Sequence, residues 1–399
     1  MRKKLIAEKT VKGIFTISAT FTSLTVLLIV FFLFKEGLGL FGEKPIEKGF
    51  VLAVNPENEV RKIEGADVKK MFDGEITNWN QVGGENKEIV LFTINDINRF
   101  YSDSAIGENF ENLPVLINDL VKKEKGIIAY YPEKYKAKDF VGKPLDINGV
   151  TIKGFLTGKE WYPTAEPLAQ LGIWPMIMGT LWVCFGAIIL ALPLGIAAAV
   201  YMAEIADRRI RNIMKPVIEL LAGIPSVVFG FFGLVIIVPL VQQTFNLPVG
   251  ETALSGSIIL AIMILPTIIT ISEDALRTCP NSLREASLAL GATKWQTIVR
   301  IVFPRSLPGI TAAVILGIGR AFGETMAVLM VTGNAAVVPN SFLEPVRTLT
   351  ATIAAELGEA PQGGLHYKAL FALGCVLFII TFFTNMLVEW ISYKRKVTK

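Results

Sequence analysis

The sequence predicts an all-α polytopic membrane protein with six transmembrane helices and an inserted α/β domain on one side of the bilayer. Three observations predict it. Of 399 residues 52% are hydrophobic and mean hydropathy is +0.51, more apolar surface than a soluble fold of ordinary charge content can hide. Six apolar runs are long enough to cross a hydrocarbon core of about 30 Å as helices. Charged residues still make up 19% of the chain, and they crowd between the first run and the second, so a soluble part and a membrane part share it.

The runs are Ile14 to Phe34, about Trp174 to Ala203, Pro216 to Val241, Ser255 to Ile271, Pro308 to Val331, and Ala369 to Ile391. The first is uncharged, longer than the apolar region of a signal peptide and not followed by a small-residue cleavage site, so it is expected to be a retained anchor. Six spans put both termini on one side. Lys and Arg decide which, because positive charge in short loops resists translocation. Arg2, Lys3, Lys4, Lys9 and Lys12 precede the first run, Arg208, Arg209, Arg211 and Lys215 follow the second, Arg277, Arg284, Lys294, Arg300 and Arg305 follow the fourth, and Lys394, Arg395, Lys396 and Lys399 end the chain. All four groups fall on one face. The short loops of the other face offer only Arg347 and Lys368. Both termini are therefore expected in the cytoplasm and residues 35–171 outside.

The expected organisation is a terminal segment and first span over 1–40, an external α/β domain over 41–165 and a five-helix membrane domain over 166–399. Within the external part, Phe50 to Val54, Ile89 to Thr93 and Gly126 to Tyr131 read as strands, and Gly65 to Phe72 and Leu113 to Lys123 as helices. That alternation suits an α/β lobe with crossover helices.

Several functions are excluded. The net charge of +4 is too small and dispersed for a nucleic-acid partner, and reads as the flanking cations of membrane helices. Cys184, Cys279 and Cys375 lie in or beside apolar runs with no CxxC and no neighbouring His, which argues against a zinc site or a disulfide framework. His366, the one histidine, has no second metal ligand near it in the sequence, and no cofactor is expected. No phosphate-binding Gly-Lys-Ser/Thr loop occurs, so the chain carries no ATPase of its own.

The cytoplasmic connector is the most informative stretch. Glu285, Ala286, Ser287, Gly291 and Ala292, with Pro304 further on, predict two short helices broken at Gly291, whose small faces permit close docking of another helix or subunit. The spacing resembles the EAA motif of ABC-importer permeases, with Ser287 in the third position. That resemblance implies a loop, about 277–308, coupling to an ATPase. Without it, the stretch is an amphipathic connector.

The resemblance then narrows. Gly179-Thr180-Leu181, Pro193-Leu194-Gly195, the run from Gly223-Ile224-Pro225 to Val228, and above all Gly319-Arg320-Ala321-Phe322-Gly323-Glu324-Thr325-Met326-Ala327-Val328 resemble the PstC family of phosphate permeases, from about Gly172 to the C-terminus. Glycines and prolines in spans also serve packing and kinks. The resemblance implies a prokaryotic cell-membrane subunit that pairs with a sister permease of the PstA kind, couples to an ATPase dimer of the PstB kind and receives inorganic phosphate from a binding protein of the PstS kind.

Arg320 and Glu324 lie about twelve residues into the fifth run, roughly 18 Å at 1.5 Å per residue. A charge at mid-membrane costs about 3 kcal/mol even on a lenient scale and needs protein or water around it. Spacing of i, i+4 predicts one helix face for the two. They are either a packing ion pair, with Glu219 of the third run as a further partner, or, with Thr325, part of a pathway in which a permanently charged guanidinium meets phosphate oxygens.

Val51 to Asn58, Met71 to Trp79 with Gly83-Gly84, and Gly126 to Tyr130 are similar to one lobe of the periplasmic phosphate-binding proteins. Those proteins hold the anion in a Ser-Gly-Thr loop at a helix N-terminus. Here Thr93-Ile94-Asn95-Asp96-Ile97-Asn98-Arg99-Phe100 stands in its place, and Asp96 would repel an anion, so the lobe is expected to dock or gate without binding phosphate. The rivals are a permease for molybdate, sulfate or phosphonate, and a membrane phosphate sensor, although the longest internal segment is too short for an output domain.

Overall fold

The computed structural model describes residues 2–107 and 110–397; Lys399, one of the cations assigned to the cytoplasmic face, lies outside them. The chain divides into two compact units, Met1–Gly172 with Ala360–Ala372, and Ile173–Glu359 with Leu373–Lys399.

In the first unit, helix α1 (Arg2–Leu38) contains the first span, Val11–Leu38. It is apolar all round, and Ile17, Phe21 and Leu27 are exposed. The remainder builds a mixed sheet of four strands: β1 (Phe50–Val54), β2 (Val90–Thr93), β3 (Ile127–Pro132) and β4 (Lys143–Pro144), in the order β2-β3-β1-β4. Helix α2 (Gly65–Phe72) follows β1, and α3 (Leu113–Lys123) joins β2 to β3, which run parallel. β1 is antiparallel to both its neighbours, so only one crossover unit of the expected kind forms.

β3 is buried on both faces, which explains its uninterrupted apolar run. Ile128 and Tyr130 pack with Leu52, Val68, Met71 and Trp79. Ile127, Ala129 and Tyr131 pack with Phe92, Ile117 and Val121. Asn55, 1% exposed, donates to the carbonyls of Val121, Lys122 and Glu124 and so caps α3. Trp79 Nε1 donates to Gly126 O at 2.8 Å, closing the turn that leads into β3.

The second unit holds four further helices long and apolar enough to cross a membrane, and α12 (Leu365–Val397), which begins in the first unit, carries the sixth. They are α4 (Trp174–Ile205), α6 (Ser226–Phe245), α7 (Ala253–Arg277) and α9 (Lys294–Gly323). α7 is the hub. Its Leu260, Ile264 and Ile268 pack with Val183, Ala187 and Ala191 of α4 and with Ile318, Ala321 and Phe322 of α9. Between α4 and α6 lies α5 (Arg208–Ala222), and between α7 and α9 lies α8 (Asn281–Ala289).

Two expected spans are corrected. The third starts at Ser226 and not at Pro216, because Pro225 lacks an N–H and disfavours helix in the residue before it, which separates the amphipathic α5 from α6. The fifth begins at Lys294 and ends at Gly323; Glu324 and Thr325 are non-helical, and a separate helix α10 (Met326–Val331) follows. After Gly333 (φ +78°) the chain folds back so that Val346 N donates to Thr332 O, and α11 (Leu349–Glu356) completes a helix-loop-helix hairpin.

Candidate translocation and coupling sites

The break at Glu324 is built by its neighbours. Glu324 is extended (φ −71°, ψ 135°), and Thr325 sits at φ −123°, ψ −65°. Broken backbone inside a span survives only where protein or water satisfies the freed groups. Here the Thr350 hydroxyl of α11 donates to Glu324 O at 2.8 Å, and Thr325 Oγ1 donates to Gly323 O at 3.2 Å. The start of α11 is anchored in turn on α4, where Leu349 N donates to Thr180 Oγ1 at 3.0 Å. A Cβ on Gly179 would run into Arg347 O, so glycine there lets the hairpin reach the span. The Gly179-Thr180 pair is thus a seat for the hairpin.

Arg320 lies one turn before the break, half-buried. Its Nη1 donates to Thr267 Oγ1 at 3.4 Å, near the middle of α7, and among the described residues no carboxylate comes within ion-pair distance of it. The expected shared helix face for Arg320 and Glu324 does not exist, because the helix ends between them. Glu324 and Thr325 are half-buried at the break itself. Glu219 is exposed on α5, outside the third span, and does not pair with Arg320. Sequence reading missed two half-buried polar side chains. Asn385 of α12 brings its buried, unpartnered Oδ1 beside Gly319. Arg347, read as a loop cation, is 16% exposed and pairs with Glu356 at 2.7 Å in the hairpin seated on α4.

The connector between α7 and α9 folds as two helices, α8 and the start of α9, hinged at Gly291 (φ +84°). Nothing lies within 4 Å of a Cβ placed there, so the glycine answers to backbone conformation alone. Glu285 and Ala286 are exposed; Ser287, Ala292 and Pro304 are half-buried. The Ser287 hydroxyl bonds that of Thr297 at 2.9 Å and holds the two helices together. Leu288 and Leu290 stand exposed, Leu290 at 89%. The connector therefore presents an apolar knob with an acidic neighbour on an otherwise basic face.

In the first unit the segment that replaces the anion loop is a 3₁₀ helix, Ile94–Arg99. Asp96 accepts from Thr93 Oγ1 at 2.7 Å and pairs with Arg99 at 3.3 Å. Its carboxylate takes the hydroxyl donor that an anion would need.

Residues 191–397 match the family described as binding-protein-dependent transport system inner membrane component, and residues 47–157 match the PBP superfamily domain. The chain is 44% identical over 252 residues to the probable ABC transporter permease protein YqgH of Bacillus subtilis, covering 63% of this chain and 81% of that protein. It is 39% identical over 247 residues to the phosphate transport system permease protein PstC of Mesorhizobium japonicum, covering 57% and 74%. Among solved structures, the MetNI methionine ABC transporter in an inward-facing conformation aligns with a TM-score of 0.45 at 18% identity, over 56% of this chain and 97% of that one. Six candidate spans and the family match over residues 191–397 define a multi-pass transport permease. The chain belongs to the binding-protein-dependent transport system inner membrane component family.

Proposed function

We propose that this chain is one permease subunit of an ATP-driven importer of inorganic phosphate. One observation carries the reading beyond the relatives: Arg320 sits half-buried beside the middle of the hub helix with a neutral hydroxyl, not a carboxylate, as its partner. A structural ion pair would have neutralised it. An unpaired guanidinium beside a broken span suits an anion that arrives and leaves, and its forked donors suit phosphate oxygens. Glu324 and Thr325 line the same break.

The partner assignments belong to the same proposal. A PstA-like sister permease completes the pathway, a PstB-like ATPase dimer docks on Glu285, Ala286, Ser287, Gly291, Ala292 and Pro304 and hydrolyses the ATP, and a PstS-like protein delivers phosphate. Both termini face the cytoplasm. Residues 1–40 anchor the chain, 41–165 form an extracytoplasmic domain that docks or gates, and 166–399 form the permease domain; the PBP superfamily match over 47–157 supports that division.

Uptake of labelled phosphate by proteoliposomes holding the purified complex tests the function. ATP-dependent uptake that excess unlabelled phosphate abolishes, and that sulfate or molybdate leaves alone, is expected. Preferential competition by either oxyanion would reassign the substrate. The external domain alone should give no calorimetric signal with micromolar phosphate.

A further inference from the structure

Arg284 stands one residue before the exposed Glu285 and points the other way, into the protein. Its Nη2 donates to Glu204 Oε1 at 2.6 Å and to Leu276 O at 3.0 Å, its Nε to Glu204 Oε2 at 3.4 Å, and its Nη1 to Asn281 Oδ1 at 3.2 Å and to Cys279 O. Glu204 lies in the π turn Tyr201–Ile205 that ends α4, one of three π turns in the described helices. Leu276 and Cys279 flank the end of α7, where the last carbonyls have no partner within the helix and a cation is favoured. The pair is mostly buried, with 18% of the Arg284 side chain and 9% of the Glu204 side chain exposed. One guanidinium therefore joins three elements: the docking helix α8, the end of the second span and the end of the fourth.

Among the described residues, no other side chain hydrogen-bonds α8 to the ends of α4 and α7. Ser287 ties α8 only to α9, and Glu285, Ala286, Leu288 and Leu290 face away from the spans. A displacement of α8 reaches α7 through the short link 278–280 and through Arg284, and it reaches α4 through the bond of Arg284 to Glu204. The π turn suits it, since an extra residue in one turn is a common mark of a functional site within a span.

We propose that Arg284, held by Glu204, is the positioning residue that makes the docking helix and the cytoplasmic ends of the second and fourth spans move as one body, converting an ATPase movement into a movement of the spans. This rests on the importer reading above, but the rigid junction can be read without substrate. The forked donors are needed for it: an ammonium cannot satisfy a carboxylate and two carbonyls in one plane.

The test uses the assembled complex with Arg284→Gln, Arg284→Lys and Glu204→Gln. Two quantities are measured: phosphate transported per ATP hydrolysed, and the distance between spin labels at the exposed positions Leu290 and Ile205. In the wild type that distance should stay single-valued with and without nucleotide. In Arg284→Gln and Glu204→Gln it should broaden, and transport per ATP should fall about tenfold, within the range of ordinary coupling between sites; Arg284→Lys should recover part of the ratio. An unchanged distance distribution together with an unchanged transport ratio overturns the proposal. Should Arg284→Gln fail to assemble, Glu204→Gln decides, because it leaves the bonds to Leu276 and Cys279 in place. A wild-type complex that imports no phosphate would sink the importer reading, while the label distance would still test the junction.

Discussion

The Thr350 hydroxyl donates to the main-chain carbonyl of Glu324 at 2.8 Å, across 26 residues of sequence, and so supplies the bond that the helix interrupted at Gly323 has given up. A span that stops and restarts needs such a donor, because a buried carbonyl left without one costs about 1–3 kcal/mol. Thr350→Val keeps the shape and removes the donor. It should lower the thermal midpoint of the detergent-solubilised chain by several degrees, while Thr350→Ser should restore it. Equal midpoints for all three would mean that water already satisfies the break.

The α/β domain should lose stability in alkali. Tyr130 and Tyr131 are 2% and 0% exposed, and burial raises both phenols above their usual value, with Glu166 and Glu47 adding to the effect on Tyr130. A raised folded pKa gives a contribution that is complete below the unfolded value of about 10 and is lost as pH climbs towards the folded value. Residues 43–172 produced alone should therefore unfold cooperatively above about pH 10, with phenolate absorbance rising together with loss of circular dichroism. Smooth phenolate titration before unfolding would contradict the buried pair.

Much of this domain was legible in the sequence. Strands Phe50–Val54 and Ile127–Tyr131, buried on both faces, and helices Gly65–Phe72 and Leu113–Lys123, each buried on one, fall on the residues that their patterns assigned. The membrane part was legible as apolar runs and not as backbone. Ile218, Leu220 and Leu221 extend the hydropathy of the third run backwards, although Pro225 stops the helix. Nothing in Gly323-Glu324-Thr325 announces a break, because the donor that permits it comes from Thr350. Arg284 read as one more positive-inside cation; its partner Glu204 lies 80 residues away.

Glu273 at the end of α7 makes an asymmetric forecast. It is fully buried, with Lys215 of α5 at 3.0 Å and Arg277 at 3.5 Å, and neither contact is a well-directed hydrogen bond. Lys215→Met leaves a buried carboxylate with only Arg277, whereas Glu273→Gln leaves cations that reach water. The first change should destabilise by roughly 2 kcal/mol, below the loss of about 3–5 for fully buried pairs, since Lys215 is 29% exposed. The second should cost less. Chemical denaturation of the two variants in one detergent compares them, and the reverse order would refute the asymmetry.

Gly291 should accept asparagine better than alanine. Its φ of +84° penalises a Cβ by about 1–2 kcal/mol, the space around it is empty, and asparagine tolerates left-handed backbone. Gly291→Asn should keep most phosphate uptake, Gly291→Ala less and Gly291→Val least, at matched membrane levels. Equal uptake by all three would show that the turn does not govern docking.

Arg320 decides the mechanism, and stability and transport should respond to its loss in opposite directions. With Thr267 as its neutral hydrogen-bond partner and, among the described residues, no carboxylate at ion-pair distance, the half-buried guanidinium is a standing cost to the fold, at most about 3 kcal/mol on the lenient scale for a charge within a span. Arg320→Gln should therefore leave the thermal midpoint unchanged or raise it. Phosphate uptake should fall roughly 10- to 100-fold, the worth of a lost hydrogen bond to a charged group. Arg320→Lys should restore uptake only in part, because an ammonium keeps the charge but not the fork. Glu324→Gln, acting on a carboxylate that does not pair with Arg320, should change uptake less and leave the effect of Arg320→Gln nearly additive in the double variant. A packing pair forecasts the opposite set: each single change destabilises, and the double change recovers both stability and uptake. Thermal midpoints and labelled-phosphate uptake of the three neutral variants, measured on the same membranes, separate the two, and recovery of uptake in the double variant would remove Arg320 from the pathway.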